Sequence, residues 1–308
     1  MTDITLAPVQ PDQPTHLMAT YGRQAISFVR GRGAYLYTQD GTEYLDALTG
    51  IAVCGLGHSH PAIAEAIAEQ AATLVHTSNL FEIPWQTAAA QKLAEVSGME
   101  EIFFSNSGAE SNEGAIKIAR KFGTQQGISL PKIIVAEQSF HGRTGKYFAY
   151  QHTNIIPDVL TTAKGLGNGF PVGAVMTQGK AVGLLGPGSH GSTYGGTVLG
   201  SRVVYTVIDT IQKENAVENA AVVGNYIVDQ LRAQLSDKNV QVRGFGMMIG
   251  IQLPKDCAEL VAIARDEYKL IINVTAGSVV RLLPPINMTQ AQADILLERL
   301  VALITNYL

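Results

Sequence analysis

Hydrophobic and polar positions in this chain follow two spacings, one typical of strands and one typical of amphipathic helices. Near the N-terminus, ISFVRGRGAYLYTQDGTEYLD contains short apolar runs separated by a glycine turn and an Asp-Gly turn, which predicts a β-rich segment. HPAIAEAIAEQAATLV and PWQTAAAQKLAEVS then place apolar residues at helical spacing, with a proline at or near each start. Two helices are therefore expected after the first strands.

The middle of the chain has a pattern of alternating strands and helices. EIFFSNSG predicts a short buried strand, AESNEGAIKIARKFG a helix, and KIIVAE a second buried strand. A strand, a helix and a strand in this order form a βαβ unit, which implies a parallel sheet. DVLTTAKG and PVGAVMTQ predict further buried strands, and VENAAVVGNYIVDQLRAQL predicts a long amphipathic helix.

The pattern changes near Val242. VRGFGMMIGIQL, LIINVT and SVVRLLPP are strand-like, while CAELVAIARDEY and QAQADILLERLVALITNYL have helical spacing. These stretches predict a C-terminal α+β domain that packs with the N-terminal strands. The predicted division is an N-terminal arm with strands of the small domain at 1–50, a large domain at 51–235, and a C-terminal small domain at 236–308.

Composition narrows the class of protein. The 308 residues are 46% hydrophobic and 16% charged, with 31 glycines, which is typical of a globular chain of enzyme size. The net charge of -4 comes without a basic block, so we expect small-molecule partners rather than nucleic acid or membrane. Two cysteines, Cys54 and Cys257, are too few for a disulfide framework, and neither a signal-peptide pattern nor a run of 18 apolar residues occurs. These features predict a cytoplasmic protein.

The sequence NSGAESNEGA opens a predicted helix directly after a predicted strand. Ser107 and Glu110 have the spacing of a capping box, and Gly108 allows a ligand to approach the backbone closely. Free amides at a helix N-terminus bind anions, so a phosphate would fit there. An ordinary capped helix explains the same residues.

A lysine followed by glycines marks a second candidate site. In TTAKGLGNGFP, Lys164 ends a predicted buried strand, and an apolar setting lowers the pKa of a lysine and makes it a nucleophile for carbonyl groups. A solvated surface lysine is the alternative. Neither a P-loop nor a dinucleotide fingerprint fits the glycines. His58 and His60 are a weak metal pair, and Arg281 in an apolar strand requires a carboxylate from the protein or from a ligand.

Seven stretches, taken in order, resemble the class III (ornithine-type) aminotransferases, which are pyridoxal-phosphate enzymes of fold type I. They are GIAVCGLGHSHP, SNLFEIPWQ, FFSNSGAESNEGAIKIARK, SFHGRT, PDVLTTAKGLGNGFPVGAV, HGSTYGG and VRGFGMMIGIQL. The resemblance covers nearly the whole chain. It implies an α/β fold, with a large domain built on a mostly parallel sheet and a smaller α+β domain. It also implies pyridoxal 5'-phosphate as cofactor and amine and 2-oxo acid substrates.

The resemblance assigns roles to individual residues. Lys164 would form the Schiff base, Phe140 would stack on the pyridine ring, and Arg143 would hold the substrate carboxylate. Thr193 would reach the phosphate bound by a second subunit, which implies a homodimer, and Arg281 resembles the arginine that alternates between a protein glutamate and a substrate carboxylate. The predicted cofactor residues are Ser107, Gly108, Ala109, Phe140, Lys164 and Thr193, and the predicted substrate residues are Arg143, Ser192 and Arg281.

The stretch SFHGRTGKYFAYQH departs from the family. In relatives, GRT after SFH and GRTG before FAYQH are separate, whereas here one copy serves both. Roughly 90 residues of a family-sized chain are missing between Arg143 and Lys146, a loss that a compact domain rarely tolerates. By resemblance, they include two inner strands, the aspartate that pairs with the pyridine nitrogen, and the glutamate partner of Arg281. Asp158 is no substitute, since six strand residues place it roughly 20 Å from Lys164.

Two classes of function follow. The first is an aminotransferase that moves an amino group from N-acetylornithine, or from ornithine, succinylornithine or another ω-amine, to 2-oxoglutarate, with activity impaired by the deletion. The second is a non-catalytic remnant that binds ligands or other proteins. The deletion itself is the feature that separates them, because it removes groups needed for chemistry while leaving Lys164.

Overall fold

The computed structural model of the chain describes residues 20–132, 146–153 and 155–308. The α-helices are α1 Thr49–Ala52, α2 Pro61–Thr73, α3 Pro84–Ser97, α4 Gly108–Gln125, α5 Val198–Lys213, α6 Ala216–Gln234, α7 Leu260–Tyr268 and α8 Gln290–Tyr307. The strands are β1 Arg30–Arg32, β2 Tyr35–Tyr37, β3 Glu43–Asp46, β4 Glu101–Ser105, β5 Val159–Thr162, β6 Gly173–Thr177, β7 Gln241–Phe245, β8 Met248–Gln252, β9 Leu270–Ile271, β10 Asn273–Thr275 and β11 Val279–Leu282. Short 3-10 turns lie at Ala149–His152, Lys164–Leu166 and Gly179–Ala181.

The first three strands form an antiparallel meander, as the turn residues predict. At the Asp-Gly turn, Gly41 has a φ of 86°, and the Thr38 amide donates to the Thr42 carbonyl at 3.1 Å. β9 then joins β3 in parallel, with Leu45 opposite Leu270. The stretch LIINVT, predicted as one strand, is divided between two sheets, because β9 pairs with β3 and β10 pairs with β11.

The second sheet has the order β10-β11-β8-β7, and all its pairs are antiparallel. We call this sheet, the sheet β1-β2-β3-β9 and helices α6 to α8 the terminal lobe. One apolar core serves the whole lobe, and it includes Leu45 from β3, Ile227 from α6, Ile249 and Val280 from the second sheet, and Leu300 from α8. The predicted C-terminal strands and helices therefore do pack with the N-terminal strands.

The third sheet carries the candidate site and has the order β4-β6-β5. Both pairs of described strands are antiparallel, within the mixed α/β fold that the sequence predicts. For β5 and β6 the reason is the short connection between Thr162 and Gly173, because a parallel crossover requires a dozen or more residues. β4 and β5 run in the same direction on either side of β6. Of the residues described, only those of β6 pair with β5.

Helices cover both faces of this central sheet. Val175 of β6 packs against Ile118 of α4 on one face. Its neighbour Met176 points the other way and packs with Leu93 of α3 and Val204 of α5. No helix among residues 20–132, 146–153 and 155–308 is long and apolar enough to cross a membrane.

The segment after the GRT junction is anchored to the same core. Phe148 and Tyr150 pack against the cluster between the central sheet and α3, and the Tyr150 hydroxyl donates to the Ser97 carbonyl. The ring of His152 lies 5.7 Å from that of Phe245 in β7, so this segment touches the terminal lobe as well. The predicted strand KIIVAE, apart from Lys132, lies outside the described residues.

Candidate active site

The N-terminus of α4 follows β4 by two residues and is organised to leave amides available. The Ser107 hydroxyl accepts the Glu110 amide at 3.2 Å, and the Glu110 carboxylate accepts the Asn106 amide at 3.0 Å. The Gly108 and Ala109 amides meet no acceptor within the described part of the chain. The capping contacts therefore satisfy one first-turn amide and leave two, with the positive end of the helix dipole, for an anion.

Lys164 lies next to this N-terminus, in the turn that follows β5. A Cβ on Gly108 would lie 3.4 Å from the Cβ of Ala163, the residue before the lysine. The Ser111 hydroxyl also reaches the Thr162 carbonyl at 3.4 Å. The structure thus brings together the lysine and the amides that the sequence picks out separately.

A buried carboxylate fixes the chain segment that borders this turn. Asp46 is 1% exposed and accepts the amides of Leu48 and Thr49, each at 2.8 Å. Its second oxygen lies 2.7 Å from Nε2 of His58. Burial lowers the pKa of His58, but hydrogen bonds to Asp46 and Cys54 outweigh burial and raise it to about 9. The raised pKa makes His58 a half-buried imidazolium at neutral pH, and its bond to Asp46 closes the loop between β3 and α2.

This pair predicts a pH dependence of stability. Because the pKa of His58 rises from 6.5 to about 9 on folding, its contribution is fully present below pH 6.5 and is lost as the pH rises through 9. We expect the free energy of unfolding to fall by about 3 kcal/mol over that range. Urea unfolding at several pH values measures this change in the free energy of unfolding. His58→Gln should remove this component, whereas His60→Gln should keep it; an unchanged slope in His58→Gln would contradict the assignment.

The same segment connects the Lys164 turn to the terminal lobe. A Cβ on Gly165 would lie 3.9 Å from the Ala52 carbonyl oxygen. The Thr49 hydroxyl donates to the Leu283 carbonyl at 2.8 Å, two residues beyond Arg281. Gly165, next to Lys164, and Leu283, next to the end of β11, therefore both approach the stretch from Thr49 to Ala52.

Backbone strain is concentrated at this point. Thr49, Ile51 and Ala52, which make α1 a left-handed turn rather than a regular helix, have positive φ, as do Lys164 and Asn168, with values between 44° and 64°. Non-glycine residues in this region cost about 1–3 kcal/mol each, and such residues cluster at functional sites. The strain is a second reason, independent of chemistry, to place a functional site here.

The loop HGSTYGG lies on the other side of the α4 N-terminus. The Asn106 side-chain amide donates to the Ser192 hydroxyl at 3.1 Å, and a cavity of about 330 Å³ separates the loop from α4. Thr193 and Glu110 both line this cavity. Sequence reasoning missed Asn106, although its position between the end of β4 and the N-cap could have indicated a contact.

Arg281 has no ionic partner among the described residues. Its Nε donates instead to the side-chain oxygen of Asn273 at 2.9 Å. The structural salt bridge that the sequence left open is thus not found in the described part of the chain.

The two histidines do not form a metal site. His60 bonds to Glu214 at 2.9 Å, whereas His58 bonds to Asp46. No group of three metal-binding side chains occurs within residues 20–132, 146–153 and 155–308. Two other predicted site residues, Phe140 and Arg143, lie outside the described residues.

The described geometry fits part of pyridoxal phosphate. The two available amides of α4 suit its phosphate, and Lys164 beside them suits its aldehyde. Asp158 is not placed to pair with the pyridine nitrogen. That residue lies at the far end of β5, where its Oδ1 is 3.5 Å from the position of a Cβ on Gly179.

A family model, related sequences and solved structures all compare this chain with aminotransferases. The model of the family "Aminotransferase class-III" matches residues 18–144 and 142–304. An acetylornithine aminotransferase of Nitrosomonas europaea is 37% identical over 388 aligned positions, covering 96% of this chain and 98% of that protein. The crystal structure of an acetylornithine aminotransferase from Elizabethkingia anophelis has a TM-score of 0.88 and 25% identity, covering 94% of this chain and 96% of that one. The crystal structure of an N-acetylornithine aminotransferase from Stenotrophomonas maltophilia has a TM-score of 0.81 and 27% identity, covering 93% of this chain and 97% of that one.

These alignments also locate the deletion. Since 96% of 308 residues is about 296 residues, about 92 of the 388 positions shared with the Nitrosomonas protein have no residue here. The two family matches overlap at residues 142–144, so one GRT is aligned twice. The chain therefore belongs to the class III aminotransferases, which are pyridoxal-phosphate enzymes of fold type I, and it lacks an internal segment of about 92 positions that its relatives have.

Proposed function

We propose that this chain is an aminotransferase of the acetylornithine type, which acts on N-acetylornithine or a related ω-amine and on 2-oxoglutarate. The observation that carries the proposal is the contact between the Lys164 turn and the α4 N-terminus, with its two available amides. The names of the relatives from Nitrosomonas and Aquifex aeolicus support the substrate, at 37% and 34% identity. Ornithine and succinylornithine remain alternatives of the same chemical class.

Each residue of the site has a defined task in this reaction. The amides of Gly108 and Ala109 would hold the phosphate against the positive end of α4. Pyridoxal phosphate supplies an aldehyde that takes up the amine and a ring that accepts electrons. Lys164 would hold the cofactor through its aldehyde, and its amine would carry a proton to and from the substrate carbon. Arg281 would orient a substrate carboxylate.

We further propose that the chain forms a homodimer. Leu80 is 88% exposed and Phe81 68% exposed, and both follow Asn79, whose side-chain amide donates to the Gly195 carbonyl at 3.0 Å. An exposed apolar patch beside the HGSTYGG loop is typical of a protein interface, and it would bring Thr193 to the edge of a second subunit. A cytoplasmic location belongs to the same proposal and is supported by the free thiols of Cys54 and Cys257.

The second candidate function, a non-catalytic remnant, is favoured by one specific observation. About 92 positions are missing at the GRT junction, and by resemblance they include the carboxylate that pairs with the pyridine nitrogen. We therefore propose that the chain keeps cofactor recognition and has lost most of its rate of transamination. Cofactor binding and turnover are then separable properties of this chain.

Cofactor recognition is tested by covalent labelling at Lys164. After incubation with pyridoxal phosphate and reduction with borohydride, we expect mass spectrometry to find the adduct mainly on Lys164, because the neighbouring α4 amides retain the phosphate. Lys164→Ala should lose this adduct, and Lys180→Ala, which removes an exposed lysine, should keep it. Labelling of Lys164 no stronger than that of Lys180 would rule out the proposal.

A further inference from the structure

The sequence contains one Asn-Gly pair, Asn168-Gly169, and it lies just beyond the Lys164 turn. An asparagine before a glycine loses its side-chain amide most readily, because glycine has no side chain to obstruct the attack of its own nitrogen on the asparagine Cγ. Asn168 has a left-handed conformation, with a φ of 44°. A chemical change at Asn168 would therefore act on the turn that carries the lysine.

The nitrogen that makes this attack is open in the structure. Gly169 is exposed, and its amide donates to no acceptor within the described part of the chain. The amides on either side are both engaged, Asn168 with the Gly165 carbonyl at 3.4 Å and Phe170 with the Gly167 carbonyl at 2.9 Å. Water and base can therefore reach the Gly169 amide, and no hydrogen bond has to break before it loses its proton.

The group under attack, the side-chain amide of Asn168, is held by the loop before α2. Its Oδ1 accepts the Leu56 amide at 2.8 Å, and its Nδ2 donates to the Gly57 carbonyl at 3.3 Å. We call the loop from Leu56 to His58 the clamp. A side chain that is held at both of its polar atoms is not free to turn toward the nitrogen of the next residue. The clamp therefore protects Asn168 while it is closed.

The clamp is anchored mainly through His58. The His58 amide donates to the Gly33 carbonyl at 2.8 Å, and the Gly33 amide donates to the His58 carbonyl at 2.9 Å. The His58 ring bonds to the buried Asp46 at 2.7 Å. Loops open locally at a rate set by the few contacts that hold them. The bond between His58 and Asp46 should therefore control how often the clamp releases Asn168.

We propose that Asn168 is a site of deamidation whose rate is set by opening of the clamp. When the side chain is released, the Gly169 nitrogen loses its proton and forms a bond to the Asn168 Cγ. The bond from Cγ to Nδ2 breaks, and ammonia leaves with that proton. Water then opens the five-membered imide at one of its two carbonyl carbons, which gives aspartate or isoaspartate. The reaction consumes water and requires no oxidant, reductant or cofactor.

The products cannot restore the clamp. A carboxylate has no proton to donate, so an oxygen would face the Gly57 carbonyl oxygen at the place where Nδ2 now donates. Isoaspartate also lengthens the main chain by one carbon just after the Lys164 turn. Deamidation therefore separates this turn permanently from the loop between β3 and α2.

Peptide mapping by mass spectrometry after incubation in mildly alkaline buffer tests the inference. We expect Asn168 of the native full chain to deamidate at least about 10-fold more slowly than Asn168 of the chain unfolded in urea. His58→Gln should raise the native rate at least about 10-fold, because it removes the charge-assisted bond that anchors the clamp. His60→Gln, which keeps the bond between His58 and Asp46, should leave the rate unchanged.

Asn106, the one asparagine followed by serine, is an internal control for unfolding. Its rate should stay the same in His58→Gln if only the clamp opens. If the Asn106 rate rises as well, the variant unfolds as a whole, and the comparison of native with urea-unfolded parent chain decides. Equal rates at Asn168 in those two states, or an unchanged rate in a folded His58→Gln, would overturn the inference.

Asn168→Asp carries one of the two product side chains and tests the consequence. We expect it to unfold at a lower urea concentration than the parent chain, because a carboxylate replaces the donor that faces the Gly57 carbonyl. Asn239→Asp introduces the same charge at an exposed position and should change nothing. Equal stability of Asn168→Asp and the parent chain would show that the clamp does not depend on the side-chain amide, and the control by the clamp would be refuted.

Discussion

Restoring the missing family segment after Thr144 is expected to raise the rate of N-acetylornithine transamination by at least about 10³-fold over that of the 308-residue chain. The segment of the Nitrosomonas europaea relative is a suitable donor, since that protein is 37% identical to the chain. The reason is electrostatic. Electrons from the substrate carbon are accepted well only by a ring whose nitrogen is held protonated, and the family's aspartate for that task lies in the missing segment. Lys164 as a general base does not replace it.

Matched variants separate chemistry from folding in this experiment. The restored chain with Lys164→Ala should be as inactive as the short chain. The restored chain with its ring-pairing aspartate changed to alanine should keep the fold and lose most of the rate. Steady-state assays measure the transamination rates of four purified proteins: the short chain, the restored chain and the two variants of the restored chain. Near-equal rates of the short and restored chains would contradict this prediction, because the missing aspartate would then be dispensable for transamination.

The 308-residue chain is also expected to melt at least about 10 °C below the restored chain. In the described part of the chain, one edge of β5 meets no other strand, and Ile155 and Ile156 just before it are 70% and 75% exposed. An open strand edge with apolar neighbours favours association between chains. Low stability and aggregation should therefore appear together.

Thermal melting followed by light scattering tests this second prediction. Changing Ile155 and Ile156 to lysine should reduce aggregation without raising the melting temperature, because charge blocks association but adds no strand. The restored chain should aggregate less and melt at a higher temperature than the short chain. A cooperative melt of the short chain at the temperature of the restored chain would show that the sheet is complete without the missing segment.

Much of the helical structure could be predicted from the sequence. The predictions for α2, α3, α4, α6, α7 and α8 are confirmed, because proline starts, the Ser107 cap and 3.6-residue spacing are local signals. α5 was not predicted. Its apolar positions include Val203, Val204, Val207 and Ile208, and β-branched residues favour strands locally. Burial against α3 and the central sheet makes this segment helical, and that contact is not a local property.

The pairing of strands was harder to predict than their existence. The central strands DVLTTAKG and PVGAVMTQ are confirmed, but their antiparallel pairing follows from the length of the connection between them rather than from their composition. Prediction of the candidate site from the sequence has the same limit, since contacts between distant residues are not local signals. Sequence motifs indicate Lys164, Gly108 and Arg281 one at a time, whereas the bond of His58 to Asp46 and the bond of Arg281 to Asn273 depend on register. Register is set by packing across the whole sheet.

The shared core of the terminal lobe has a consequence for synthesis of the protein. β3 is made early and pairs with β9, in which Leu270 follows its partner Leu45 by 225 positions along the chain. The core to which Leu45 belongs is complete only when Leu300 of α8 has emerged as well. The central sheet, which is the part shortened by the deletion, must therefore wait on the ribosome without its neighbouring lobe. Chaperone dependence during translation should consequently exceed that of a longer relative whose central sheet is complete.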